Sequence, residues 1–160
     1  MRNNNDTIIL GDAIEYVNKS ILNNEYVTIK SGIETLDAFT GGWYPGELCI
    51  IGGRPLMGKT AFVLSAISNL VMSNIPVALF SATDSMNLHF MSRVVSCMKF
   101  QNNSHILERK LDIMNSFNMQ GVPLYLNLQP CLRVAYIKEH CERLIKEKGV
   151  KIIFIETIQK

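Results

Sequence analysis

The sequence predicts an α/β protein with a mainly parallel β-sheet that is covered by helices on both faces. Short apolar runs, typical of strands, alternate with longer segments whose apolar residues recur at helical spacing. The strand-like runs are continuously apolar rather than alternating, which is the pattern of strands buried on both faces of a parallel sheet.

The individual elements follow from apolar spacing and from the Gly, Pro and Asn residues that separate them. The first segment is amphipathic and ends at the Asn pair at 23 and 24, whereas the Gly-rich passage over 40–46 predicts turns. Gly149 is a suitable C-terminal stop for the last helix. Helices are expected over 7–22, 59–72, 86–100, 104–118 and 133–148, and strands over 47–52, 77–80, 124–128 and 150–155.

Composition narrows the class of protein. The 160 residues are 48% hydrophobic and 19% charged, which suits one globular domain and argues against a disordered chain. The net charge of +2 indicates no broad basic surface, so any nucleic-acid contact must be local. No apolar stretch approaches the roughly 20 residues of a membrane helix, and we expect a cytoplasmic protein without membrane contact.

The cysteines and histidines form no metal or redox motif. The four cysteines, at positions 49, 97, 131 and 141, include no C-x-x-C pair, a pattern that fits a reducing compartment. Cys49 lies in an apolar run and is predicted to be a buried thiol. The three histidines are far apart in the sequence and are expected on the surface or in packing positions.

The strongest motif runs from Gly53 to Thr60 and fits G-x-x-x-x-G-K-[ST]. Its glycines allow backbone amides to approach phosphate oxygens, and the helix that follows presents unpaired N–H groups and a positive dipole end. Lys59 is expected to reach the β- and γ-phosphates, and the Thr60 hydroxyl to ligate Mg²⁺. The alternative is a chance Gly-rich turn, but a predicted strand before and a helix after favour the phosphate loop.

Two acidic residues are candidates for the chemistry beside this loop. Glu156 follows the last apolar run and is expected to support the metal, although a charged residue at a strand end needs no function. Asp84 follows the second predicted strand, where it could orient the attacking water or cap the next helix. The sequence leaves both roles open for Asp84.

Further short stretches lie before the loop, over 31–37, 40–42 and 45–48. An Arg54-Pro55 pair lies within the loop, an Ala61-Phe62 pair follows it, and Gln159 stands after the last predicted strand. With these residues the chain, from Ser31 to about Gln159, resembles the RecA-like motor domain of DnaB-type replicative DNA helicases. The Arg-Pro and Ala-Phe pairs resemble these helicases rather than other RecA-like proteins, and Gln159 matches a characteristic glutamine after the family's metal-binding strand.

This resemblance implies a RecA-like fold, ATP and Mg²⁺ as ligands, and single-stranded DNA as a partner in the parent family. It implies Thr60 and Glu156 as metal-binding residues and Lys59, Asp84 and Glu156 as the catalytic group. The implied nucleotide-binding residues are Gly53, Arg54, Pro55, Met57, Gly58, Lys59, Thr60 and Ala61.

The sequence departs from the family pattern at three places. Thr83 stands where the family has its catalytic glutamate, and Asp84 is one position late. Glu156 replaces the family's metal-binding aspartate and is one methylene longer, which matters because Mg²⁺ demands near-octahedral geometry. The sequence ends at Lys160, before the family's DNA-binding loops and arginine finger, so we expect slow or no hydrolysis by this chain alone.

The domain organisation expected from the resemblance is an N-terminal amphipathic linker helix or arm over 1–30 and a partial, C-terminally truncated ATPase domain over 31–160. The first hypothesis is a helicase-type motor domain that binds ATP and Mg²⁺. The alternative is a non-catalytic RecA-like interaction module that regulates or docks on an intact hexameric helicase. The expected protein partners are further copies of this chain, in a homo-oligomer, or a helicase ring. A third possibility is a piece of a longer gene product.

Overall fold

The computed structural model describes residues 9–23, 27–81, 121–129 and 133–156. Within these ranges the chain forms four helices and three strands. They are α1 (Leu10–Leu22), α2 (Glu34–Thr40), α3 (Lys59–Met72), β1 (Val77–Ser81), β2 (Leu124–Asn127), α4 (Val134–Lys148) and β3 (Ile152–Glu156). The helices predicted over 86–100 and 104–118 lie outside the described residues.

The three strands form a parallel sheet in the order β2-β1-β3. Val77 of β1 is in register with Leu124 on one side and with Ile152 on the other. Every residue of β1 is buried, and its first four residues are continuously apolar, as expected for a central parallel strand. The predicted parallel sheet is therefore confirmed.

Helices cover both faces of this sheet. Alternate side chains of a strand point to opposite faces, and in β1 Val77 and Leu79 pack with buried side chains of α3. Ala78 and Phe80 face the other way and pack against side chains of α4. This arrangement confirms the predicted class, and it places the beginning of α3 beside the carboxyl ends of the strands.

The three predicted helices that lie in the described ranges have nearly the bounds expected from the sequence, whereas α2 was not predicted. α3 begins and ends where predicted, and the first helix, of which residues 9–22 are described, begins at Leu10. α4 begins at Val134, one residue later than expected, and ends before Gly149, whose φ of 66° is the left-handed conformation expected at this position. No helix in the described ranges is long and apolar enough to cross a membrane.

The strand predicted over 47–52 is wrong. Residues 47–54 adopt neither helix nor strand, and Leu48 and Ile50 are 86% and 83% exposed. Cys49, predicted to be buried, is exposed as well. A strand needs a neighbour for its backbone hydrogen bonds and a layer over its side chains. No described strand pairs with this segment, so its apolar composition alone does not bury it.

The turn before α2 is packed on α3 and was not predicted as a structural unit. The Asp37 carboxylate accepts hydrogen bonds from the backbone N–H and hydroxyl of Ser31, both at 2.8 Å, and from the N–H of Gly32 at 2.9 Å. Asn69 of α3 donates to the Ser31 carbonyl at 3.3 Å. Gly32 has a φ of +75°, and a Cβ there would lie 2.4 Å from the Asn69 Cβ, so this position requires glycine.

The hydrogen bonds to Asp37 also determine its acidity. Partial burial acts to raise the pKa of Asp37, but the bonds from Ser31 and Gly32 and the charge of Lys30 outweigh it. The net pKa is therefore lower than the ordinary value of 3.8.

Candidate phosphate-binding site

The loop over 53–60 joins the exposed segment over 47–52 to the first turn of α3. Gly58 has a φ of +83°, a left-handed conformation that glycine adopts without strain. Leu56 also has a positive φ, of 63°, which is uncommon for a non-glycine residue and is typical of strained functional loops. The motif requires no residue type at position 56, so the sequence did not identify this strained residue.

Lys59 folds back over its own loop. Its Nζ donates to the carbonyls of Gly53 and Arg54, both at 2.9 Å. These contacts hold the ammonium charge of Lys59 against the backbone of its own loop. Because the ammonium has three N–H donors, it can exchange these internal contacts for phosphate oxygens without leaving the loop.

The N-terminus of α3 opens onto this loop. The first bond of the helix ladder here runs from the N–H of Phe62 to the carbonyl of Gly58 at 2.9 Å. The N–H groups of Lys59, Thr60 and Ala61 precede it and therefore have no partner within the helix. Gly58, at the N-cap position, contributes no side-chain cap. A positive helix end without a side-chain cap favours an anion.

A carboxylate from the sheet meets the end of the loop. Glu156 is the last residue of β3, and its Oε1 accepts a hydrogen bond of 2.6 Å from the Thr60 hydroxyl. Its Oε2 accepts a bond of 3.2 Å from the hydroxyl of Ser81, the last residue of β1. The structure thus brings together Thr60 and Glu156, which are 96 residues apart.

Ser81 was not identified as a site residue from the sequence. The available signal was positional, because Ser81 ends the strand that neighbours β3 and carboxyl ends of parallel strands meet at one edge of a sheet. Asp84 and Thr83, the candidates for the water-orienting position, lie outside the described residues. The other predicted loop residues, Pro55 and Met57, are exposed.

The oxygen atoms at this corner fit a small divalent cation. Mg²⁺ prefers hard oxygen ligands and is usually held by one or two protein groups together with waters and substrate phosphates. The Thr60 hydroxyl and the Glu156 carboxylate are ligands of this kind and already lie within 2.6 Å of each other. In the described part of the chain there is no cluster of three or more His, Cys, Asp or Glu residues that could hold a metal without such help.

A glycine loop that ends in Lys-Thr at a helix N-terminus, with a carboxylate from a parallel strand beside the threonine, defines the class of P-loop α/β proteins. The comparison with protein families is more specific. The family of the DnaB-like helicase C terminal domain matches residues 28–160. This chain belongs to that family, which confirms the resemblance seen in its sequence.

Individual relatives agree with this assignment. The chain is 30% identical over 143 residues to the replicative DNA helicase DnaB of Treponema pallidum (strain Nichols), a match that covers 84% of this chain and 32% of the relative. It is 30% identical over 155 residues to the replicative DNA helicase DnaB of Geobacillus stearothermophilus, covering 90% of this chain and 34% of the relative. The chain thus spans about a third of the length of these relatives.

A solved structure shows the same fold. This structure is of a DnaB-like replicative helicase and its interactions with primase. It superimposes on this chain with a TM-score of 0.69, and the match covers 94% of this chain and 39% of the helicase chain. At 20% identity this match supports the fold alone. The predicted RecA-like α/β architecture is therefore confirmed by sequence family and by structure.

Proposed function

We propose that this chain is the nucleotide-binding part of a replicative-helicase motor, and that it binds ATP with Mg²⁺ at the loop over 53–60. The observation that carries the proposal is the 2.6 Å contact between the Thr60 hydroxyl and the Glu156 carboxylate. This contact brings the end of the phosphate loop to the end of a parallel strand. A metal ion bound to the triphosphate at this place could be held by both the hydroxyl and the carboxylate.

Each part of the loop has a separate task in this proposal. Gly53 and Gly58 keep the backbone free of side chains, while the N–H groups of Lys59, Thr60 and Ala61 face the phosphates. The Lys59 ammonium leaves the carbonyls of Gly53 and Arg54 and neutralises the β- and γ-phosphates. Arg54, Pro55 and Met57 are exposed residues of the same loop, where a bound nucleotide could contact them.

The metal side of the site is held by two residues. The Thr60 hydroxyl can donate its proton to Glu156 while an oxygen lone pair faces Mg²⁺. The carboxylate of Glu156 then supports the metal directly or through water. When bound, Mg²⁺ neutralises charge on the β- and γ-phosphates and fixes their geometry.

Hydrolysis by this chain is proposed to be slow or absent. Thr83 occupies the position at which the family resemblance places a catalytic glutamate, and a threonine hydroxyl cannot act as a general base at neutral pH. Asp84, one residue later, is the remaining candidate to orient the attacking water. Unwinding of DNA in replication, the activity in the relatives' names, would therefore require more than this chain supplies.

Nucleotide binding is tested by calorimetric titration with ATP and Mg²⁺. Lys59→Ala should abolish measurable binding, because it removes the ammonium that neutralises the phosphates. Lys146→Ala is the matched control, since Lys146 is an exposed lysine on α4. Equal ATP affinity in the wild type and Lys59→Ala would contradict the site.

Hydrolysis is tested separately by phosphate release. Turnover at about one per second or faster, within the ordinary range of enzymes, and unaffected by Asp84→Asn, would show that the interpretation of Thr83 is wrong. Strong reduction by Asp84→Asn would instead assign the water-orienting role to Asp84.

A second candidate function is supported by α1. Its apolar side chains Ile14, Val17 and Ile21 are 53%, 39% and 55% exposed. Such a face suits the proposed linker arm over 1–30, docked on another copy of the chain or on a helicase ring. The double variant Ile14→Glu with Ile21→Glu should reduce self-association, measured by sedimentation, without changing ATP affinity. A wild type that is monomeric and also does not bind a helicase ring would contradict this role.

A further inference from the structure

The buried hydroxyl of Ser81 has no role in the site as predicted from the sequence. Ser81 is 0% exposed, at the carboxyl end of the central strand β1. It lies directly opposite Glu156 in the register of β1 and β3. Its Oγ donates to Glu156 Oε2 at 3.2 Å, while Thr60 donates to Oε1 on the other side of the same carboxylate.

Two donors on different oxygens determine the orientation of a carboxylate much better than one. The terminal torsion of a glutamate is broad and has no sharp staggered minima. A single bond from Thr60 would leave the carboxylate of Glu156 free to turn about that contact. The second bond, from a strand that is buried at every position, removes this freedom.

We propose that Ser81 is a positioning residue that holds the Glu156 carboxylate for the metal ion of the nucleotide. The inference rests on the proposed ATP- and Mg²⁺-binding function. A carboxylate has about four lone-pair sites, so the bonds from Ser81 and Thr60 leave acceptor positions for the cation or its waters. The longer side chain of glutamate, compared with aspartate, increases the need for this second support.

The effect of losing Ser81 should appear in the metal dependence of binding. Groups that orient metal ligands typically change metal affinity by about 10–100-fold when they are removed. The phosphate contacts of the loop do not involve Ser81, so ATP binding without the metal should change by less than about twofold. The informative quantity is the ratio of the ATP dissociation constants in EDTA and in excess Mg²⁺.

The experiment measures this ratio by calorimetry for the wild type, Ser81→Ala and Ser81→Cys. Alanine is smaller than serine, and cysteine is somewhat larger and only a weak donor. An effect shared by both variants therefore reports loss of the hydrogen bond rather than a packing defect. Ser68→Ala is the matched control, because Ser68 is a buried serine of α3, 3% exposed. Thermal unfolding of each variant verifies that it is folded.

The ratio should fall about tenfold or more in both Ser81 variants and stay at the wild-type value in Ser68→Ala. A wild-type ratio in folded Ser81→Ala or Ser81→Cys overturns the role of Ser81 and leaves the proposed function standing. A wild type that binds no ATP in either condition overturns the proposed function, and the role of Ser81 falls with it. ATP binding without any Mg²⁺ dependence in the wild type overturns the metal assignment of Glu156 and Ser81 together.

Discussion

The loop over 53–60 has two flanks that are held in very different ways. The rear flank is α3, which buries six residues and packs against the central strand of the sheet. The front flank, over 47–52, is exposed along its whole length and pairs with no described strand. The loop is therefore positioned by the helix behind it and by the carboxylate of Glu156, rather than by the segment that leads into it.

The difference shows that equal apolarity does not produce equal burial. The segment over 47–52 and strand β1 are both short apolar runs, yet β1 has a parallel neighbour on each side and a helix over each face. Burial of apolar area contributes about 25 cal/mol per Å² only when other elements exclude water from it. The front flank should therefore contribute little to stability in this chain.

The largest expected effect tests that contrast directly. Leu70→Ala in α3, at a side chain that is 1% exposed, should lower the free energy of unfolding by about 2–5 kcal/mol. Ile50→Ala in the front flank, at a side chain that is 83% exposed, should change it by less than about 0.5 kcal/mol. Urea denaturation of both variants measures these free energies of unfolding. Similar losses in the two variants would show that the two flanks contribute equally to stability.

A smaller effect is expected where the loop meets the rear flank. A Cβ at Gly58 or at Gly52 would meet no atom within 4 Å, but only Gly58 has a positive φ, of +83°. Gly58→Ala should therefore cost about 1–2 kcal/mol through backbone strain. It should also weaken ATP binding, because the strain distorts the start of α3.

Gly52→Ala is the control for that experiment. Its backbone conformation is accessible to alanine, so its effect on the free energy of unfolding should stay within about 1 kcal/mol and can be stabilising. Equal destabilisation by both substitutions, followed by urea denaturation, would contradict the conformational difference between the two glycines.

The smallest expected effect concerns the turn that packs on α3. Asp37→Asn should cost about 1 kcal/mol, allowing for partial solvent exposure, since the amide has one acceptor oxygen for three donors. Because the pKa of Asp37 is lowered on folding, its contribution is present above the unfolded value of 3.8 and is lost as the pH falls through the lower folded value.

The pH dependence of urea denaturation checks this assignment. The wild type should lose stability in acid more steeply than Asp37→Asn, with the difference confined to pH values near and below 3.8. Glu139→Gln, on the exposed face of α4, serves as a control that should follow the wild type. Parallel acid profiles of the wild type and Asp37→Asn would be evidence against the hydrogen-bonded turn.

The sequence was informative wherever local pattern and burial agree. α3 was predicted with its correct bounds because its apolar residues cover most of the helix and a glycine precedes it. The parallel sheet followed from continuously apolar strands such as β1. The strand over 47–52 was predicted wrongly because pairing and burial depend on neighbouring elements, which a local pattern does not contain.

For the candidate site, spacing identified Lys59 and Thr60, and strand position suggested Glu156. The strained backbone of Leu56 and the hydroxyl of Ser81 could not be predicted in this way. A leucine whose backbone adopts the left-handed conformation has no sequence signature. A serine at the end of a strand is common for purely structural reasons. Both became visible only from backbone torsions and from the register between β1 and β3.

The separation of 96 residues between Thr60 and Glu156 has a consequence during synthesis. At about 5–20 residues per second, roughly 5–20 s pass between incorporation of the threonine and incorporation of the glutamate. Throughout that interval the nascent chain carries a phosphate loop without its carboxylate. The hydrogen bond between Thr60 and Glu156 can therefore form only after the 96 residues that follow Thr60 have been made, so it plays no part in any folding of α3 and β1 before that point.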